Sequence, residues 1–148
     1  MRRPKPPAPA TGSADDVEAE FYEALQRGEI DRLMALWADD DDISCVHPGG
    51  PRLVGAEAIR ASFDAMFARS PIDAQPYRVR RLDALSSAVH SVLERVAVPT
   101  AQGERVAWVL ATNVYLKSAQ GWRLAAHHAS PGMMEEPQDI AEAGSTLH

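Results

Sequence analysis

The hydrophobic period of this chain changes at Ser70-Pro71, and that change constrains the fold more than any other feature. Before it, apolar residues recur three and four apart. After it they alternate in twos along four stretches, Tyr77 to Leu85, Ala88 to Val98, Arg105 to Lys117 and Trp122 to Ala129. Breakers separate these stretches at Ser86-Ser87, Pro99 to Gly103 and Ser118 to Gly121, and connections that short join antiparallel neighbours. Helices followed by a meander predict an α+β layering, with three N-terminal helices packed on one face of a curved antiparallel sheet.

The helical part can be read stripe by stripe. Ser13 with Asp16 forms a capping signal, and Val17, Phe21, Ala24 and Leu25 follow at helical spacing up to Gly28. Ile30, Leu33, Met34 and Trp37 make a second, shorter stripe, closed by Asp39 to Asp42. Four adjacent acids repel one another and diverge, so they read as a solvated turn. Ile59, Phe63, Met66 and Phe67 form the third stripe. The first twelve residues hold four prolines and nothing to bury, which predicts a disordered tail over 1–13 that adds nothing to stability. One domain over 14–131 follows, and 132–148 reads as a loosely ordered tail.

Composition excludes several classes. A net charge of −6 with scattered basic residues gives no nucleic-acid footprint. Cys45 is the only cysteine, which fits a reducing compartment and predicts a cytoplasmic protein. No apolar run is long enough for a membrane helix, and Arg2-Arg3 precedes a proline-rich stretch rather than a signal sequence. Phosphate loops, nucleophile elbows and dinucleotide fingerprints are absent, so no cofactor is expected.

The candidate site lies in Asp39 to Ile59. An extended segment Ile43 to Val46 runs into a turn, His47-Pro48-Gly49-Gly50-Pro51, before a helix begins past Gly55. Alternation places Cys45 and His47 on one side of the strand. An imidazole titrates near neutral pH, so His47 is the candidate general base. Cys45 as a nucleophile would need an activated thiolate. On the last strand Trp122, Leu124, Ala126, His128 and Ser130 share a face, with His127 opposite. Cys45, His47, His90, His127 and His128 have no metal-ligand spacing, and no metal is expected. Glu94 shares a face with His90, Val92 and Val96, at an end of the sheet expected to be wet. Along Arg105 to Lys117 neither face is polar. With no helix left to cover the second face, a second subunit is expected to do so, giving a homodimer through the outer sheet face.

Element order and five motifs support a resemblance: Phe21-Tyr22-Glu23-Ala24-Leu25, Leu36-Trp37-Ala38-Asp39-Asp40, Cys45-Val46-His47-Pro48-Gly49-Gly50, Gly55-Ala56-Glu57-Ala58-Ile59-Arg60 and His127-His128-Ala129-Ser130. From Ala14 to Pro131 the chain resembles the nuclear transport factor 2-like superfamily, and within it the SnoaL-like group. The resemblance implies a cone-shaped fold with an internal cavity between helices and sheet. It implies that Trp37, Cys45, Phe63, Met66, Trp108, Thr112 and His128 line a ligand. Val109, Ala111, Tyr115 and His127 would then face the dimer partner. In the related Δ5-3-ketosteroid isomerase a general-base Asp precedes a Pro in the turn matching His47-Pro48. That enzyme's oxyanion-hole Tyr falls at Phe21 and its protonated Asp at Thr112, so steroid isomerisation by that mechanism lacks its donors here. Three roles stay open: binding an unknown small hydrophobic molecule; cofactor-independent isomerase, dehydratase or cyclase chemistry with His47 as base and His128 as a second catalytic group; or dimerisation alone.

Overall fold

A computed structural model describes residues 11–142. Helix α1 spans Ala14–Arg27 and is capped as its sequence predicts: the Asp16 N–H donates to Ser13 Oγ at 3.0 Å, and Gly28 closes the helix at φ 64°. Val17, Phe21, Ala24 and Leu25 are buried, and so are two polar residues of the same face, Glu18 and Tyr22. Helix α2 is Ile30–Met34 and α3 is Ala56–Phe67, the latter burying Ile59 and Phe63. The acids Asp39 to Asp42 are exposed, with the Asp42 N–H donating to Asp40 Oδ1 at 2.8 Å, as a solvated turn requires.

Six strands form one sheet: β1 Ser44–Val46, β2 Arg52–Val54, β3 Asp73–Asp83, β4 Ser87–Thr100, β5 Gly103–Ser118 and β6 Gly121–Ala129. Their order is β2-β1-β6-β5-β4-β3, antiparallel throughout except where β1 runs parallel to β6. The four long strands are the meander read from the sequence. Strand β2 was not read, because Arg52–Val54 is too short to show alternation. It pairs with β1 across the His47 turn, which is closed by Gly50 N–H donating to the His47 carbonyl at 2.8 Å.

The sheet faces the helices with the opposite side from the one the resemblance implied. Ala107, Val109, Ala111, Asn113 and Tyr115 point inward, whereas Trp108, Thr112, Val114 and Leu116 belong to the outer face. Both sets are largely apolar, so alternation alone could not tell inside from outside. The choice falls to α1, whose buried Glu18 and Tyr22 need hydrogen-bond partners. Asn113 and Tyr115 supply them from the same face of β5.

A bulge in β6 overturns a second expectation. Val114 pairs with Ala126 but Tyr115 pairs with Leu124, which leaves Ala125 extra. Leu124 stays inward, the phase then flips, and His127 rather than His128 enters the interior.

Contacts also extend beyond the expected domain limits. Thr11 is buried, its carbonyl accepts from Trp122 N–H at 2.8 Å, and its hydroxyl accepts from Arg123 Nη1 at 2.8 Å. This corrects the expectation that nothing before Ser13 docks. The rest of the 1–13 tail lies outside the described residues. On the C-terminal side Met133 bridges Trp108, and Arg78 Nη2 donates to the Pro137 carbonyl at 3.0 Å. Residues 143–148 lie outside the description.

Candidate functional site

A cavity of about 260 Å³ opens between α1, α3 and the inner sheet face. Its wall is apolar: Phe21 and Leu25 from α1, Phe63 and Met66 from α3, and Val96, Val109 and Ala129 from the sheet. The small side chains Ala74, Ala107 and Ala129 leave space where larger inward residues would close it. Three polar side chains face this space, His47, Glu94 and His127, each from a different strand or turn.

His47 is where the sequence placed it, just past β1 on the side of Cys45. Its Nε2 lies 2.5 Å from Ser62 Oγ, and its ring stands edge-on to Phe63 with centroids 4.8 Å apart. Burial pushes its pKa below the ordinary imidazole value, so the neutral form predominates at neutral pH. Ser62 carries no sequence signal, since a serine beside an apolar stripe is ordinary for a helix. Cys45 is fully buried with Sγ 4.0 Å from His47 Nε2 and does not line the cavity. Burial, with the Glu94 charge adding, pushes its thiol up to about 12, which removes the nucleophile reading.

Glu94 corrects the expectation of a wet sheet end. It is buried, and the Tyr22 hydroxyl donates to its Oε2 at 2.7 Å. Burial raises its pKa to about 7 against the opposing Tyr22 hydrogen bond, and the Glu18 charge adds to the rise. Near neutral pH this group is therefore divided between acid and carboxylate. His127, expected to face a dimer partner, instead has Nδ1 2.5 Å from Asn113 Oδ1. Burial, followed by the neighbouring His47 and His128, lowers it to about 3 and keeps the ring neutral. Asn113 Nδ2 in turn donates to Tyr22 Oη at 3.1 Å.

The remaining predicted site residues divide. Phe63 and Met66 line the cavity, while Trp37 is buried core bridged to Leu124, with its Nε1 lacking a partner among the described residues. Trp108, Thr112 and His128 are not in the cavity. Thr112 and His128 are exposed and flank a shallow hollow of about 580 Å³ with Leu110 and Ser130. Sequence reasoning missed Glu94, His127, Tyr22 and Asn113 as members of the site. Alternation flagged Glu94, and nothing in the sequence reveals the bulge that admits His127.

A second polar cluster lies beneath α1. Glu18 Oε2 accepts from His90 Nδ1 at 2.7 Å and from the Tyr115 hydroxyl at 2.8 Å, and none of the three lines the cavity. Among the described residues no group of three or more His, Cys, Asp or Glu side chains is placed to hold a metal ion. No helix among them is long and apolar enough to cross a membrane.

Helices capping a curved sheet around an apolar pocket with polar groups at its inner wall define the nuclear transport factor 2-like architecture. Comparison with known proteins narrows this: the SnoaL-like domain matches residues 15–134, and the chain belongs to that family. It is 33% identical to a Thiobacillus denitrificans protein described as a calcium/calmodulin-dependent protein kinase type II association domain, over 83% of this chain and 98% of that one, with a TM-score of 0.75. It is 30% identical to a Streptomyces avermitilis protein described as a dehydratase of the nuclear transport factor 2-like family, over 79% and 92% of the two chains, with a TM-score of 0.70. The CaMKII hub of S. rosetta, 20% identical over 86% of this chain and all of that one at a TM-score of 0.65, shares the fold. None of the curated proteins matches the sequence.

Proposed function

We propose that the cavity binds a small, mostly apolar molecule bearing an oxygen function and moves a proton on it without a cofactor, in isomerase or dehydratase fashion. One observation carries this reading. A buried acid raised to about 7 and an imidazole held neutral by burial face the same apolar space. Environments that push two titratable groups toward each other's range allow one to give a proton while the other takes one. His47 is the base, oriented by Ser62 and Phe63. Glu94 in its acid form donates to a ligand oxygen. His128 takes no part, since it lies on the outer face. The similarity to a protein described as a dehydratase supports the chemistry class.

The test is proton exchange at carbon. With the α-hydroxy ketone 2-hydroxyacetophenone as probe in D₂O, the protein should accelerate deuterium incorporation next to the carbonyl, and His47→Gln should reduce that acceleration about 10²-fold or more. Binding of the probe without acceleration would leave a binding protein and remove the enzyme.

Self-association is a further part of the reading, favoured by the outer sheet face. Leu82, Leu110 and Leu116 are exposed there, and Trp108 and Val114 are only half-buried. The two-fold dimer expected from β5 then uses these residues, not Val109, Ala111 and Tyr115. Similarity to a kinase association domain supports it. Light scattering should give about twice the 16.1 kDa chain mass, and Leu110→Lys should halve it. A wild-type monomer at micromolar concentration would sink the dimer. The buried, unreactive Cys45 fits a cytoplasmic setting.

A further inference from the structure

The hydrogen bonds that connect Glu94 to His127 have a direction, and that direction fixes what the cavity can recognise. As a carboxylate Glu94 has only lone pairs, so the Tyr22 hydroxyl must donate to Oε2. As an acid it keeps the same bond when its proton sits on Oε1, the oxygen to which nothing donates among the described residues. Having given its hydrogen away, Tyr22 Oη accepts from Asn113 Nδ2. The Asn113 amide is thereby oriented with Oδ1 toward His127, where an oxygen can only accept, so His127 Nδ1 carries the ring proton. The reverse sense would need Glu94 to donate through Oε2, which the carboxylate cannot do. A neutral imidazole protonated at Nδ1 has a bare lone pair at Nε2. That nitrogen has no protein hydrogen bond among the described residues, and His127 lines the cavity.

We propose that His127 Nε2 is an obligate hydrogen-bond acceptor for the ligand, and that the cavity therefore selects an uncharged apolar molecule carrying an O–H or N–H donor, an enol, phenol or hydroxy-carbonyl compound. The inference rests on the reading of the cavity as a small-molecule site. Tyr22 and Asn113 are positioning residues, acting through the tautomer of His127. A site with a buried bare acceptor discriminates against a ligand that leaves it unpaired, more strongly than it rewards apolar fit. It also disfavours carboxylates, because a ligand lone pair facing Nε2 and an ionised Glu94 would find no donor in either.

Two measurements test this on the full chain. Nitrogen-15 NMR of the wild-type imidazoles should show His127 protonated at Nδ1 and bare at Nε2. Tyr22→Phe, which removes the acceptor orienting Asn113, should spread His127 over both tautomers. A wild-type ring protonated at Nε2 would overturn the proposal. Binding is then compared for 2-naphthol and 2-methylnaphthalene, which differ by a donor at constant shape. The wild type should prefer 2-naphthol about tenfold, roughly one hydrogen bond, and His127→Phe should lose most of that preference. Equal binding of the two probes, or a preference that survives His127→Phe, would overturn this inference while leaving the cavity as a binding site. Failure of both probes to bind would overturn the cavity reading and this inference with it.

Discussion

Two carboxylates sit under helix α1, one closed and one open, and their difference separates architecture from chemistry. Glu18 receives two donors on one oxygen, from His90 and from Tyr115, and no part of that cluster lines the cavity. Glu94 receives one donor, from Tyr22, and faces the cavity. Both are buried, and both have a tyrosine partner. A buried carboxylate with two donors on it and no cavity beside it is a structural unit. Glu94, with one donor and its pKa raised to about 7, titrates beside a cavity and is a functional candidate.

The strongest attempt to break this contrast is Glu18→Leu, which strands the His90 Nδ1–H and the Tyr115 hydroxyl in the core. We expect a loss of about 3–5 kcal/mol in urea unfolding; a loss under 1 kcal/mol would mean the closed cluster is not structural. Next is the pH profile. The Glu94 pKa of about 7 in the folded protein lies above the ordinary 4.5, so the folded state holds the proton longer than the unfolded chain. Its contribution to stability therefore falls as pH rises from about 4.5 to 7, by roughly 3 kcal/mol, and is flat beyond. Glu94→Gln should remove that fall and leave the protein more stable than wild type at pH 8. A variant profile parallel to wild type would show that Glu94 does not titrate in this range.

The paired tyrosines sharpen the contrast further. Tyr115→Phe removes one of the two donors to Glu18 and should cost about 1 kcal/mol. Tyr22→Phe removes the only donor to Glu94 among the described residues, so its cost should grow with pH as the carboxylate forms. A Tyr22→Phe cost that is the same at pH 5 and pH 8 would erase the distinction. The smallest effect is outside both clusters: Thr11→Ala loses the Arg123 hydrogen bond at the sheet edge and should cost about 0.5–1 kcal/mol by thermal unfolding, independent of pH.

Much of the fold was legible because its signals are local. The Ser13 cap, the Gly28 stop, the His47-to-Pro51 turn and the four long strands each follow from a few neighbouring residues. The orientation of the sheet was not, because β5 is apolar on both faces and no short-range rule distinguishes Val109 from Leu110. Of the site, His47 could be read from turn chemistry, and Phe63 and Met66 from a helical stripe taken together with the family resemblance. The other half depends on partners 72 residues apart, as in Tyr22 with Glu94, and 91 apart, as in Tyr22 with Asn113. Such pairs exist only once α1 has packed on β4 and β5.

The bulge at Ala125 behaves like a shift of reading frame. Upstream of it β6 is read in one phase and downstream in the other, so two neighbouring histidines exchange inside for outside with no change in their own chemistry. A gapless alignment with a relative that lacks the extra residue would therefore match His128 to an interior position and discard His127 as surface. Residues past Ala125 have to be compared by the face they occupy, and a mutagenesis panel chosen by counting along the strand would alter the wrong histidine.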